Sequence, residues 1–183
     1  MPQYQTNYES SLGTLILTSD GNALTGVYFG QKELGVSQQE KTIEREDLPI
    51  FQVVRQWLDG YFKGEQPEIS FELAPKGTPF QQKVWQQLKE IPYGQTITYG
   101  EIARKIAQEM GKEKMSSQAV GGAVGSNPIS IIIPCHRVIG KNGSVTGYGG
   151  GVERKLALFV LEKVAQETYF VPKNFKEAKK FVI

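Results

Sequence analysis

The sequence predicts an α+β protein: a small N-terminal α/β domain with an antiparallel sheet, then a mostly helical domain containing a helix-turn-helix-like pair. Three observations predict it. Residues 13–29 alternate as strands do, with Asp20-Gly21-Asn22 as a turn between them. From Thr78 onward the apolar residues recur at helical spacing behind recognisable N-caps. Between the two patterns Pro75, Gly77 and Pro79 cluster where the charge changes sign, with a balance of −6 over residues 1–75 and +8 over residues 76–183.

Taken in order, Thr14–Thr18 and Ala23–Phe29 read as paired strands, and residues 30–48, polar and charged, as loop. Ile50, Val53, Val54, Trp57, Leu58 and Tyr61 form one apolar helical stripe that Gly64 ends. Ile69, Phe71 and Leu73 alternate as a further strand. The domain boundary falls near residue 75, leaving 1–75 as a supporting domain and 76–183 as the acting one, with a basic tail from about 167 that includes Phe170, Phe175 and Phe181.

In the second domain Thr78 caps a helix with Pro79 at its first position and Phe80, Val84 and Leu88 as its stripe. Pro92-Tyr93-Gly94 breaks the chain. Thr98 and Glu101 have capping-box spacing and open a helix burying Ile102, Ala103, Ile106 and Met110. After a polar connection from Gly111 to Ser117, Ser116 or Ser117 caps a short helix, Gln118 to Val124, which Gly125-Ser126-Asn127-Pro128 stops. Two packed helices of this kind are either a helix-turn-helix or an ordinary helical pair. The Ala119, Gly121, Gly122 and Ala123 run permits close approach of its backbone to a surface, either another part of the protein or DNA. Ile131-Ile132-Ile133 reads as a buried strand. Asn142-Gly143 reads as a hairpin turn between Val138-Ile139 and Val145-Thr146, and a last helix contains Leu156, Phe159, Val160, Glu162 and Lys163.

Composition narrows the function. With 39% hydrophobic and 22% charged residues, the chain has the make-up of an ordinary soluble globular protein. No apolar run is long enough to span a bilayer, and the N-terminus lacks a basic patch followed by an apolar stretch. A single Cys excludes an internal disulfide and suits a reducing cytosol, so a cytoplasmic protein is expected. One Cys and one His do not furnish a structural zinc site, and no metal is expected. The basic second half fits either a polyanionic partner or chance variation in surface charge.

The only Cys and the only His are adjacent, as Pro134-Cys135-His136-Arg137 behind an apolar run. Such a Cys is either a small buried hydrophobe or a nucleophile whose thiolate is favoured by nearby cations. On a continuing strand His136 would point away from Cys135, so a base acting on this thiol requires a bend or a bridging water. Papain-like chemistry is disfavoured, because its His comes from a distant segment.

Ile133-Pro134-Cys135-His136-Arg137-Val138, with Asn127-Pro128 upstream, resembles the active-site motif of the 6-O-alkylguanine-DNA alkyltransferases. The resemblance spans about residues 75–165 and includes Tyr99, the run Ala119 to Ala123, Tyr148-Gly149-Gly150 and Leu158 to Glu162. It implies a winged helix-turn-helix-like alkyltransferase domain in which Cys135 accepts the alkyl group. His136 deprotonates Cys135 through a water, Glu162 holds His136, Asn127 braces the loop carrying Cys135, and Tyr99 donates a proton toward the departing guanine. Val138, Tyr148 and Gly149 line the substrate pocket, with Arg137 also assigned there. Gln118, Ala119, Gly121, Gly122 and Ala123 meet the minor groove of double-stranded DNA containing alkylated guanine. The family often places Arg where this chain has Gln118, and some members have Ser where it has Gly149. No cofactor is implied, since damaged DNA is the alkyl donor, and the protein is expected to act as a monomer. Two other readings remain at this point: a helix-turn-helix regulator with an inert Cys, and a lesion-binding protein that transfers nothing.

Overall fold

A computed structural model describes residues 2–35, 41–145 and 147–172. They form two compact units: residues 2–76 with Pro128–Ser130, and Gly77–Asn127 with residues 131–172.

The first unit is built on β1 (Gln3–Ser10), β2 (Gly13–Ser19), β3 (Leu24–Phe29) and β4 (Thr42–Glu44), in the order β3-β2-β1-β4. β1–β2 and β2–β3 are antiparallel; β4 joins β1 in parallel. The turn expected at Asp20-Gly21-Asn22 is held by the Asp20 carboxylate, which accepts from Asn22 N and Ala23 N, both at 2.9 Å. The stretch read as loop contains α1 (Gln31–Leu34) and β4. Ile69, Phe71 and Leu73 do not form a strand. Leu73 alone makes a bridge to Leu24, because the chain leaves the sheet edge at once and Ile69 faces solvent. α2 (Pro49–Phe62) buries the predicted stripe of Ile50, Val54, Trp57, Leu58 and Tyr61, with Phe51 added. Tyr8 of β1 donates to Asp59 of α2 at 2.6 Å. Pro128–Ser130 border β3, with Val27 N donating to Pro128 O at 2.8 Å and Ser130 N to Val27 O at 3.2 Å.

The second unit is mostly helical: α3 (Pro79–Lys89), α4 (Tyr99–Glu109), α5 (Ser117–Gly125) and α6 (Val152–Leu161). Thr78 and Thr98 cap α3 and α4 through complete capping boxes with Gln81 and Glu101, and the Ser116 hydroxyl accepts from Ala119 N to start α5. α4 and α5 pack on each other across the Met110–Ser116 connection. Buried Trp85 of α3 ties down α5 by donating its indole N–H to Ala123 O at 2.8 Å.

Three local expectations fail in this unit. Ile131, Ile132 and Ile133 are buried but run through a turn, with Ile131 at φ 71°, so they make no strand. The Asn142-Gly143 turn forms, yet β6 (Val138–Ile139) pairs in parallel with β5 (Ile97–Thr98) instead of folding back on Val145; Val145 N donates to Phe170 O at 2.8 Å, and Thr146 lies outside the described residues. Glu162 is the C-cap of α6, not part of it. Of the tail, Phe175 and Phe181 also lie outside the described residues.

Candidate active site

The site grows from a bend. Pro134 sits at φ −80°, ψ 66°, and Cys135 N donates to Ile133 O at 2.8 Å, which is an inverse γ-turn. A 3₁₀ turn, Cys135–Arg137, follows directly. The chain therefore does not alternate here, and Cys135, His136 and Arg137 are all buried in succession. Behind them, Asn127 Nδ2 donates to Ile133 O at 2.8 Å, bracing the segment from the end of α5.

His136 has no solvent exposure, and its Nε2 lies 2.5 Å from Glu162 Oε2. Among the described residues its Nδ1 has no hydrogen-bond partner. Burial lowers the pKa of the imidazole and outweighs the opposing pull of Glu162, with Arg137 and Lys155 adding to the depression. His136 is a neutral base at physiological pH. Burial alone would raise the Glu162 carboxyl, but His136 and Arg137 hold it well below the usual carboxylate range. Its Oε1 accepts from Arg137 Nε at 2.8 Å and from Gly94 N at 3.1 Å.

The assignment of Arg137 to the substrate pocket is corrected by these contacts. Its guanidinium turns inward to Glu162 and to Ile91 O, at 2.7 Å, because the 3₁₀ turn carries its side chain to the same side as that of His136. Tyr148 stands edge-on to His136, ring centres 6.4 Å apart, and Val138 in β6 is fully buried. Gly149 is exposed.

Tyr99, half-buried at the start of α4, lines a cavity of about 620 Å³. Burial and then the charge on Cys135 raise its phenol pKa, so it keeps its proton. Besides Tyr99, the cavity is lined by Thr98, Gly100, Arg104, Gln118, Gly121 and Lys141, among others, and both charged residues in its lining are cations. Cys135 does not line it. Ala119 and Gly122 are exposed along α5, whereas Ala123, expected at the minor groove, is buried and its carbonyl accepts from Trp85, which turns it into the protein.

One residue that the sequence did not single out is Lys155. It is wholly buried in α6, and its Nζ donates to Val138 O at 2.5 Å and to Gly147 O at 3.4 Å. Burial drives its pKa down from 10.5 to about 8, while Cys135 pulls it up. The folded lysine releases its proton before the unfolded one does, so the unfolded chain binds more protons between those values. Stability therefore rises with pH in that window, by up to about 3 kcal/mol from this group. Lys155→Met is expected to remove that alkaline rise, measured as denaturation midpoints at pH ~8 and ~10, and to slow any reaction of the Cys135 thiolate.

Residues 79–164 match the 6-O-methylguanine DNA methyltransferase DNA binding domain, and residues 3–75 match the ribonuclease-like domain of the same family. A methylated-DNA–protein-cysteine methyltransferase of Haemophilus influenzae is 46% identical over 162 residues, 88% of this chain and 87% of that one. Its counterpart in Methanosarcina acetivorans is 44% identical over 87% of this chain and 97% of its own. A crystal structure of the Mycobacterium tuberculosis O6-methylguanine methyltransferase superposes with a TM-score of 0.75 at 43% identity, covering 88% of this chain and 93% of that one. A structure titled as the Mycobacterium tuberculosis OGT in complex with DNA superposes equally well, at 42% identity, over 90% and 98%. With both domains matched in order and relatives up to 46% identical over most of the chain, the chain belongs to the 6-O-methylguanine DNA methyltransferase family.

Proposed function

We propose that this protein repairs duplex DNA by moving an alkyl group from the 6-oxygen of guanine to Cys135 Sγ, irreversibly and once per molecule. The observation that carries this reading is the His136 ring, buried in the same 3₁₀ turn as Cys135, with Nε2 held by Glu162 and Nδ1 without a partner among the described residues. A neutral imidazole so arranged is a base for the neighbouring thiol.

The Cys135 proton passes through a water to His136 Nδ1. The sulfur lone pair forms an S–C bond as the C–O bond to guanine breaks, and the leaving electron pair goes to the base. Tyr99, whose hydroxyl keeps its proton, donates toward the guanine ring and neutralises the charge that develops there. His136 passes its proton, directly or through water, to the Tyr99 phenolate, so both residues end as they began. The thioether has no route back to thiol.

The target oxygen is stacked inside the duplex, so the nucleotide has to be turned out into the pocket. In this reading Gln118, Ala119, Gly121 and Gly122 on α5 approach the minor groove, Arg104 and Lys141 meet phosphates, and Val138, Tyr148 and Gly149 contact the base. Residues 1–75 support and residues 76–183 act, as a monomer in the cytoplasm, with the lone thiol kept reduced there. Activity on the 4-oxygen of alkylated thymine is a second assay of the same pocket.

Incubation with a duplex carrying one O6-methylguanine, followed by peptide mass analysis, tests the reading. A gain of about 14 Da on the Cys135 peptide alone is expected, and an unmodified Cys135 with the lesion intact contradicts it. Gln118 gives a separate expectation. Gln118→Arg adds one cation at the groove, so duplex affinity rises and the salt dependence of log K steepens by about 0.9, read from binding at several salt concentrations.

A further inference from the structure

We infer that Arg137 and the Gly94 amide are positioning groups that keep Glu162 ionised and thereby fix His136 in the one tautomer able to act as a base. The inference rests on the proposed reaction and goes beyond it, to what sets the base.

The buried pair has two arrangements. With Glu162 ionised, His136 Nε2 carries the proton and donates to Oε2, leaving a lone pair on Nδ1. With Glu162 protonated, its O–H donates to Nε2, the ring proton moves to Nδ1, and no base faces the thiol. Burial favours the second arrangement, since Glu162 is only 2% exposed. Against it stand His136 on Oε2 and, on the other oxygen, Oε1, two donors together, Arg137 Nε and Gly94 N, which favour the ionised carboxylate. The groups facing Glu162 are His136 and Arg137 from the 3₁₀ turn and Tyr93 and Gly94 from the Pro92-Tyr93-Gly94 break; Lys155 of α6 acts on His136.

The donors are themselves fixed. Arg137 also donates to Ile91 O, and its guanidinium carbon lies 5.7 Å from the centre of the Tyr93 ring. Tyr93 OH donates to Leu161 O at 3.2 Å, closing the ring of contacts on the residue before Glu162. Gly94 sits at φ 76°, and a Cβ there would come within 2.9 Å of Glu162 O, so the amide reaches the carboxylate only because the residue is glycine.

Because His136 is the only histidine, the untagged protein gives a single imidazole in a ¹⁵N NMR spectrum. Wild type is expected to show the Nε2–H tautomer, and Arg137→Met the Nδ1–H form. In parallel, the single-turnover transfer rate of Arg137→Met at about pH 6 should fall about tenfold further than at about pH 8.5, with Arg137→Lys in between. A pH-independent loss with the wild-type tautomer retained would overturn the inference. If Arg137→Met does not fold, Arg137→Lys carries the same comparison, with a smaller shift in the same direction; no shift overturns it. The tautomer measurement requires no alkyl transfer, so a wild type that leaves Cys135 unmodified sinks the functional reading without deciding this one.

Discussion

Glu162→Gln is expected to lower the single-turnover rate of alkyl transfer by about 10³-fold, within the usual range for loss of general-base catalysis. The substitution keeps shape and removes charge. The new amide has to present its oxygen to Arg137 Nε and Gly94 N, which are both donors. Its NH₂ then faces His136 Nε2 and forces that nitrogen to accept, moving the ring proton to Nδ1 and extinguishing the base. Stability falls as well, by about 3 kcal/mol near neutral pH, because the Arg137 cation is left buried without its counter-ion. The sign of the pH dependence follows from the depressed carboxyl of Glu162. Its contribution is complete above the unfolded value of about 4.3 and is lost as pH falls through the lower folded value. Wild type and variant should therefore converge in thermal stability in acid, below about pH 4. An unchanged rate, or a stability gap that widens in acid, would contradict the account.

Cys135→Ser should abolish transfer altogether while leaving duplex binding intact. A serine hydroxyl is a far weaker nucleophile than a thiol that is already a few per cent thiolate at pH ~7. The Pro134 turn, through Cys135 N and Ile133 O, and the Asn127 side chain, which donates to Ile133 O, do not involve the sulfur, so serine keeps them. The cavity-lining cations and the surface of α5 are untouched. Gel-shift titration with lesion-bearing and undamaged duplexes should thus give wild-type affinities, and mass analysis should show no alkylated species. A serine variant that still restored guanine would move the acceptor to another residue.

Much of this was legible from local sequence. The caps at Thr78, Thr98 and Ser116 depend on residues three apart, and all form. The motif around Cys135 marks the thiol, the imidazole and, through Asn127, the brace. What was not legible depends on partners far along the chain. Arg137 and Glu162 are 25 residues apart, and Gly94 and Glu162 are 68; no spacing rule links them. Glu162 enters the site in the sequence only through the family resemblance, because its charge-holding partners cannot be read from spacing. Lys155 drew no notice in the sequence for the same reason: only the fold reveals that α6 turns it toward Val138 O. The isoleucine run at 131–133 misled because a buried apolar triplet looks alike in strand and turn, and the positive φ of Ile131 carries no sequence mark. Val138-Ile139 is a strand as expected, but its partner, Ile97–Thr98, lies some forty residues earlier in the chain.

The most direct test of irreversible transfer to one sulfur is a stoichiometric titration. A fixed excess of duplex bearing O6-methylguanine is mixed with increasing amounts of protein, and restored guanine is counted after the reaction has stopped. Restored guanine should rise linearly with a slope of one per protein molecule, and an equal amount of methylated Cys135 should accumulate. A slope above one, or guanine restored without methyl on Cys135, would contradict the account.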